Sequence, residues 1–454
     1  MAKTTDMTKG SVLRHLMKFT FPVFLGMLLQ RFYSAVDAWV VGNYASKADY
    51  AAIGAVTPVV NAIISLATGF SVGAGVVVSQ AFGAKDEERI HDAVHASVML
   101  SLIVGAAVTL IGVVFTPPLL NMMHTPQDIY PGACQYLFIV LGGAMFTVLY
   151  STASGILNAV GDSKRPFYFL VASSVINIAL DLVLVRVFSM GIVGVAVATV
   201  FAQAISAVLA FSVLFRAKDA TRLRVRDIRL YEGETGRIVS LAIPISIQNG
   251  VTCISNVFVQ TYINAFGTDI IGGYTGHLRI DSFGTLPVES IGSAVATFAG
   301  QNVGAKNVAR VREGLRKGIA LTVAFTVGVV ALLWIFAEPL ALFFCGDPGI
   351  ASWTVTFIRL ISPFYIPYAF GPACASTMRG CGETRIQTVY TIFSFVVFRQ
   401  IYLYIISRAM PGAPIPIVLG YPFGWVLYSV LSLTIYFRMR KRLFARVENG
   451  KASY

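Results

Sequence analysis

The sequence predicts an all-α polytopic membrane protein of twelve transmembrane helices in two six-helix halves. Three observations carry that prediction: too few charges for a water-facing surface, twelve apolar stretches of bilayer length, and a repeat that maps one half of the chain onto the other. Of 454 residues, 56% are hydrophobic and only 13% charged, against about 25% charged in an ordinary soluble domain. A chain of this length cannot cover soluble domains with so few charges. That excludes a water-soluble enzyme and leaves most of the surface facing lipid.

A helix rises 1.5 Å per residue, so about twenty apolar residues cross a hydrocarbon core of about 30 Å. In chain order the stretches that meet this length cover residues 14–42, 51–81, 93–116, 134–159, 166–188 and 191–215, then 238–265, 270–300, 314–337, 353–378, 386–407 and 418–438. Short polar turns separate them. The first dozen residues are polar, and the apolar stretch that follows is too long for a signal-peptide core and has no clear small-residue cleavage site, so it reads as a retained first span. Cys134, Cys253, Cys345, Cys374 and Cys381 are scattered without CxxC spacing, which points to neither a disulfide framework nor a zinc site.

Lysine and arginine fix the expected orientation. With the amino terminus inside, the inner segments hold Lys85, Arg89, Lys164, Arg165, the run from Arg216 to Arg237, Lys306 to Lys317, Arg379, Arg385 and Arg438 to Lys451, while the outer loops keep only Lys47, Arg186 and Arg408. The net charge of +13 is therefore read as the positive-inside bias and not as a nucleic-acid footprint. The longest loop, 216–237, is a basic cytoplasmic linker between an N-lobe (1–215) and a C-lobe (238–440), followed by a cytoplasmic tail (441–454).

At an offset of 221 residues, SQAFGAKDEER (79–89) lies over GQNVGAKNVAR (300–310) with five of eleven positions identical, and GDSK (161–164) lies over GETR (382–385). Pro22 and Pro244 pair at 222. Shared offsets at distant places indicate an internal duplication. Because six spans return the chain to its starting side, the two halves should be related by a pseudo-two-fold axis along the membrane normal, with a substrate path between them.

Each charge inside a span costs at least about 2.5 to 3.5 kcal/mol on insertion scales and requires an explanation. The acids in question are Asp37, Asp181, Asp281 and Glu289; the bases are Arg31, Arg279, Arg359 and Arg399. Asp37 lies about six residues from the outer end of the first span, roughly 9 Å deep. Asp181 is near the outer end of the fifth, with Asn177 one turn earlier on the same face, and Thr199 is at similar depth on the sixth. Two carboxylates, an amide and a hydroxyl at one level suit a hard monovalent cation such as Na+, or a proton shared between the acids. Taken singly, each of these residues also fits a plain role as interhelical glue.

These residues carry a family resemblance. A proline in the first span, an aspartate fifteen residues later, N-x-x-x-D in the fifth span, GAK turns after spans two and eight and the twelve-span duplication together resemble the MATE (multidrug and toxic compound extrusion) family. The resemblance covers nearly the whole chain and implies two six-helix bundles around a central cleft. It also implies export of organic, often cationic, compounds driven by inward sodium or proton flow. It places the first-lobe cation site on Asp37, Asn177, Asp181 and Thr199, and a bending first-span proline on Pro22. The expected setting is a prokaryotic plasma or inner membrane with both termini cytoplasmic, the protein a monomer without cofactor, nucleic acid or enzymatic activity.

The second lobe departs from one branch of that family, since neither the seventh nor the tenth span carries an acid. The counterparts of Asp37 and Asp181 at offset 221 are Phe258 and Tyr402. In their place the eighth span brings Arg279, Asp281 and Glu289. Two readings stand: a neutralising ion pair of Asp281 with Arg279 or Arg399, or a substrate contact or second proton carrier at Asp281 or Glu289. His277 reads as a hydrogen-bonded core residue. Tyr33, Tyr365 and Tyr368 are candidates for contacting a cationic substrate. Gly69, Gly73 and Gly75 allow close helix approach, and no GxxxxGK[ST] suggests use of ATP. A flippase for lipids or lipid-linked oligosaccharides is the competing function; it would need a large basic cavity, for which Arg31, Arg279, Arg359 and Arg399 are the available residues.

Overall fold

The computed structural model describes residues 5–448, apart from the side chains at 66 and 67. Among them every regular element is helical. The first half comprises α1 (Val12–Tyr44), α2 (Lys47–Ala84), α3 (Glu87–Met122), α4 (Tyr130–Gly142), α5 (Ala144–Ala159), α6 (Lys164–Asp181) and α7 (Gly191–Phe215). The second comprises α8 (Glu234–Ile263), α9 (Thr268–Gly284), α10 (Leu286–Gly304), α11 (Val308–Ile335), α12 (Ala337–Cys345), α13 (Pro348–Ile361), α14 (Tyr365–Tyr368), α15 (Phe370–Gly380), α16 (Arg385–Ile392), α17 (Arg399–Ala409), α18 (Pro414–Val418) and α19 (Gly420–Glu448). By length and composition, ten described helices can cross a membrane, or eleven when α4 and α5, bent by 41° at Gly143, count as one span. The remaining expected span, 270–300, is present as the pair α9 and α10. It is interrupted at Thr285 because Pro287 has no N–H to continue the ladder, and it carries Arg279, Asp281 and Glu289.

The helix ends follow local chemistry. Ser46 and Asp49 form a capping box on α2, with Oγ accepting from the Asp49 N–H at 3.0 Å and the Ser46 N–H donating back to Asp49 Oδ2 at 3.3 Å, so two orphan donors are satisfied. Asp86, Asn307 and Asp347 cap α3, α11 and α13. A π-helical turn, Leu182–Val187, follows Asp181 directly, and a second, Phe393–Phe398, runs into Arg399. Such turns leave backbone groups out of register and tend to mark functional positions.

The chain packs as two compact units: one is Leu25–Asn249, the other Met7–Phe24 with the chain from Gly250 onward. Relative to the lobes expected from sequence, the units exchange the opening parts of α1 and α8. Within the first, α2 packs on α5 and α3 on α5 around Val77, Val94, Ile156 and Leu214. Gly73 lets α2 meet the start of α8, where an added Cβ would lie 2.8 Å from that of Ala242. Within the second, α10 packs on α15 and α11, and α9 packs on α13 around Tyr274, Phe357 and Tyr365. The linker 216–237 docks on α3: the Arg224 N–H donates to His95 Nε2 at 3.0 Å, so His95 Nδ1 carries the hydrogen it gives to the His91 carbonyl at 2.7 Å. Leu223 is buried beside it. Of the expected tail 441–454, the part up to Glu448 continues α19, whereas 449–454, with Lys451, lies outside the described residues.

Candidate cation site

In the first unit three polar stripes at helical i, i+4 spacing converge. These are Tyr33 and Asp37 on α1, Ser173, Asn177 and Asp181 on α6, and Thr199 and Gln203 on α7. A small, partly open pocket is lined by Tyr33, Leu170, Ser173, Ser174, Asn177, Thr199, Ala202 and Gln203. One turn further along α1 and α6, the Asp37 and Asp181 carboxyl groups interact directly with each other. Tyr136 of α4 lies within electrostatic reach of both.

The site holds several buried polar groups without a protein partner. Asp181 is fully buried and Asn177 is 2% exposed. Among the described residues no hydrogen bond from a protein donor reaches Asp37 Oδ1 or either Asp181 oxygen, and both ends of the Asn177 amide, Ser174 Oγ and Gln203 Oε1 are likewise unpartnered. Each buried polar atom left unmade costs about 1 to 3 kcal/mol, more when charged. Buried polar groups gathered around one pocket are ordinarily satisfied by water or an ion. Carboxylate, amide and hydroxyl oxygens are hard ligands, the chemistry that fits Na+, and two facing carboxyls equally accommodate a shared proton. Of the four residues singled out by sequence, Asn177 and Thr199 line the pocket, and Asp37 and Asp181 meet each other one turn beyond Tyr33 and Asn177. Ser173, Ser174, Gln203 and Tyr136 were not anticipated. For Ser173 and Gln203 the signal was available, since they extend the stripes of Asn177 and Thr199 by one turn.

Pro22 is buried within α1, which runs through it as one helix. In the second unit, the expected polar residues divide. Asp281 accepts a hydrogen bond from the buried Tyr365 hydroxyl. Arg399 is 3% exposed and donates through Nη2 to Ser255 Oγ at 2.7 Å and Asn256 Oδ1 at 2.8 Å, with its guanidinium 4.6 Å above the Tyr421 ring. Neutral oxygens and an aromatic face therefore hold this cation. Arg279 and Glu289 are exposed and lie on either side of the break at Thr285, on α9 and α10. Arg31 is exposed, and Arg359 pairs at the surface with Glu338 at 3.1 Å. Tyr368 stacks on Trp425 at 5.4 Å, and His277 is buried with Nδ1 unpartnered.

Comparison with known proteins agrees with this architecture. The MatE family model matches residues 22–183 and 241–405, one block in each duplicated half. The chain is 26% identical over 453 residues, 98% of each chain, to the probable multidrug resistance protein YoeA of Bacillus subtilis. It is 24% identical over 386 residues, 84% of this chain and 82% of the other, to the probable multidrug resistance protein NorM of Thermotoga maritima. Its fold matches an outward-facing multidrug resistance MATE transporter of the MOP superfamily with a TM-score of 0.91, at 24% identity over 98% and 99% of the two chains. With family blocks in both halves, a shared fold and a relative aligned almost end to end, the chain belongs to the MATE family.

Proposed function

We propose that the protein is a secondary active antiporter that exports organic, often cationic, compounds in exchange for inward Na+ or H+, with coupling at Asp37, Asn177, Asp181 and Thr199. The observation that carries this reading is the Asp37–Asp181 pair, two carboxyl groups set against each other and, among the described residues, with no other protein donor on Asp37 Oδ1 or either Asp181 oxygen, beside a pocket of unpartnered polar atoms. In a low-dielectric interior such a pair cannot hold two uncompensated charges. Arrival and departure of one small cation changes the electrostatics of α1 and α6 together. The names of the relatives, multidrug resistance proteins, support drug-like cargo.

Coupling demands different affinities in the two access states, since equal binding to both moves nothing. Cation capture by the pair would favour one shape of α1, whose ladder is interrupted at Pro22, and cargo would favour the other. Efflux of ethidium from proteoliposomes under separately imposed sodium and pH gradients tests this. Accumulated dye should leave under at least one inward cation gradient, and dye loss indifferent to both would reject the antiport reading. The flippase reading loses support in the second unit, where Arg359 is engaged at the surface and Arg399 is buried on neutral partners.

A further inference from the structure

The turn after α2 recurs after α10, and the copies agree beyond their letters. Lys85 and Lys306 are both left-handed, at φ 57° and 56°. Asp86 and Asn307 both cap the next helix, accepting from the backbone N–H of Arg89 at 3.1 Å and of Arg310 at 3.2 Å. Beyond the cap, each arginine side chain reaches away from its own turn. Arg89 Nε donates to Glu234 Oε1 at 3.0 Å, on the first residue of α8, where Arg237 Nη1 also donates at 2.9 Å. Arg310 forks across the entrance to α1, with Nη2 on the Met7 carbonyl and Nη1 on the Gly10 carbonyl, both at 2.9 Å, and Nε on Asn302 Oδ1 at 3.1 Å. Gln301 Oε1 completes the grip by accepting from the Met7 N–H at 2.9 Å.

The grips are crossed with respect to sequence. The arginine of the first half holds the start of the helix that opens the second half, and the arginine of the second half holds the start of the helix that opens the first. Those helices begin at matching positions, Val12 and Glu234, and carry the matching prolines Pro22 and Pro244. The same crossing accounts for Met7–Phe24 packing in the second unit and Glu234 to Asn249 in the first. Charge-assisted hydrogen bonds of this kind are stronger than neutral ones and geometrically specific when forked.

We propose that Arg89 and Arg310 are equivalent positioning residues of the transport cycle, each fixing the amino-terminal end of the proline-bearing helix that belongs in sequence to the other half. A helix bent at a proline reorients whichever end is free. With the start anchored, bending at Pro22 or Pro244 is delivered to the far part of α1 or α8. The transport arm of the test rests on the antiport reading, whereas the exchange arm does not.

Amide hydrogen exchange on the full-length chain in detergent, compared among wild type, Arg310→Ala, Arg89→Ala, Arg310→Lys and Arg89→Lys, decides the anchoring. Arg310→Ala should speed exchange across residues 7–18 by at least about tenfold while leaving 234–245 unchanged, and Arg89→Ala should do the reverse. Arg89→Lys should retain protection, because one ammonium still meets Glu234; Arg310→Lys should not, because one ammonium cannot replace three donors. In proteoliposomes each alanine variant should lower the maximal ethidium efflux rate at least about fivefold with the half-saturating concentration unchanged. Loosening of both segments in either variant, or of neither, overturns the anchoring, and normal efflux rates in both alanine variants overturn its role in transport. If wild type itself fails to move dye, the antiport reading falls while the exchange data still decide the anchors.

Discussion

At the scale of single residues, the candidate site is a question of which oxygen atoms have partners. Asp37 and Asp181 face each other, so removing one charge should relieve the repulsion and remove the reason for cation capture. Asp37→Asn is expected to abolish gradient-driven ethidium efflux, reducing it to the empty-liposome rate, while membrane insertion measured by fractionation stays at the wild-type level. Full efflux in that variant would exclude Asp37 as the coupling group. Asn177 offers a neutral carbonyl oxygen, a ligand for sodium that a proton does not need. Asn177→Ala should therefore weaken sodium-driven efflux about tenfold or more and leave pH-driven efflux within about twofold; equal losses would remove the distinction. Much of this site was legible before folding, because a carboxyl group inside a span is conspicuous on composition alone. Ser174 and Tyr136 were not, since serine and tyrosine are ordinary in helices and only packing shows which of them face the acids.

At the scale of elements, the boundaries follow caps and prolines. The capping box at Ser46, the left-handed Lys85 and Lys306, and the interruption ahead of Pro287 are all local effects. Sequence placed twelve apolar stretches, and helices occupy each. It did not foresee that 270–300 is two helices, although the Thr285 N–H still bonds the Asp281 carbonyl and the Glu289 N–H the Thr285 carbonyl across the break. Close approach of α2 and α8 at Gly73 gives a stability prediction. Gly73→Val must displace Ala242 and should cost about 1 to 3 kcal/mol by overpacking, measured as a lower midpoint for thermal unfolding in detergent. A second prediction concerns the linker. His95→Ala removes the acceptor for the Arg224 N–H, so residues 219–231 should be cut by trypsin several-fold faster in the variant, with the helical core intact. Unchanged cleavage would mean that Leu223 and its neighbours dock the linker unaided.

At the scale of the whole molecule, the duplication set the architecture and then diverged in chemistry. The first unit keeps buried acids at the ends of its stripes, and the second places Arg399 on Ser255, Asn256 and the Tyr421 ring. If coupling runs through Asp37 as proposed, a chain lacking Asp37 should not be rescued through Asp281, and gradient-driven efflux from an Asp37→Asn chain with Asp281 intact checks this. The positive-inside bias predicts that single cysteines placed at Arg226 or Arg229 label only in inverted vesicles, and one at Arg408 only from outside. The reverse pattern would turn the inferred direction of cation flow around.

The chain's own letters determined that it spans a bilayer, how many times, where the repeat lies and which charges need a reason. Those are properties of a residue and its solvent, and lipid penalises a polar group wherever in the fold it sits. Tertiary structure decided what the letters could not: that Asp37 meets Asp181, that Arg399 is met by neutral oxygens, and that the openings of α1 and α8 are exchanged between units. Such pairings join residues more than a hundred positions apart, and only the packing of several helices at once selects among them.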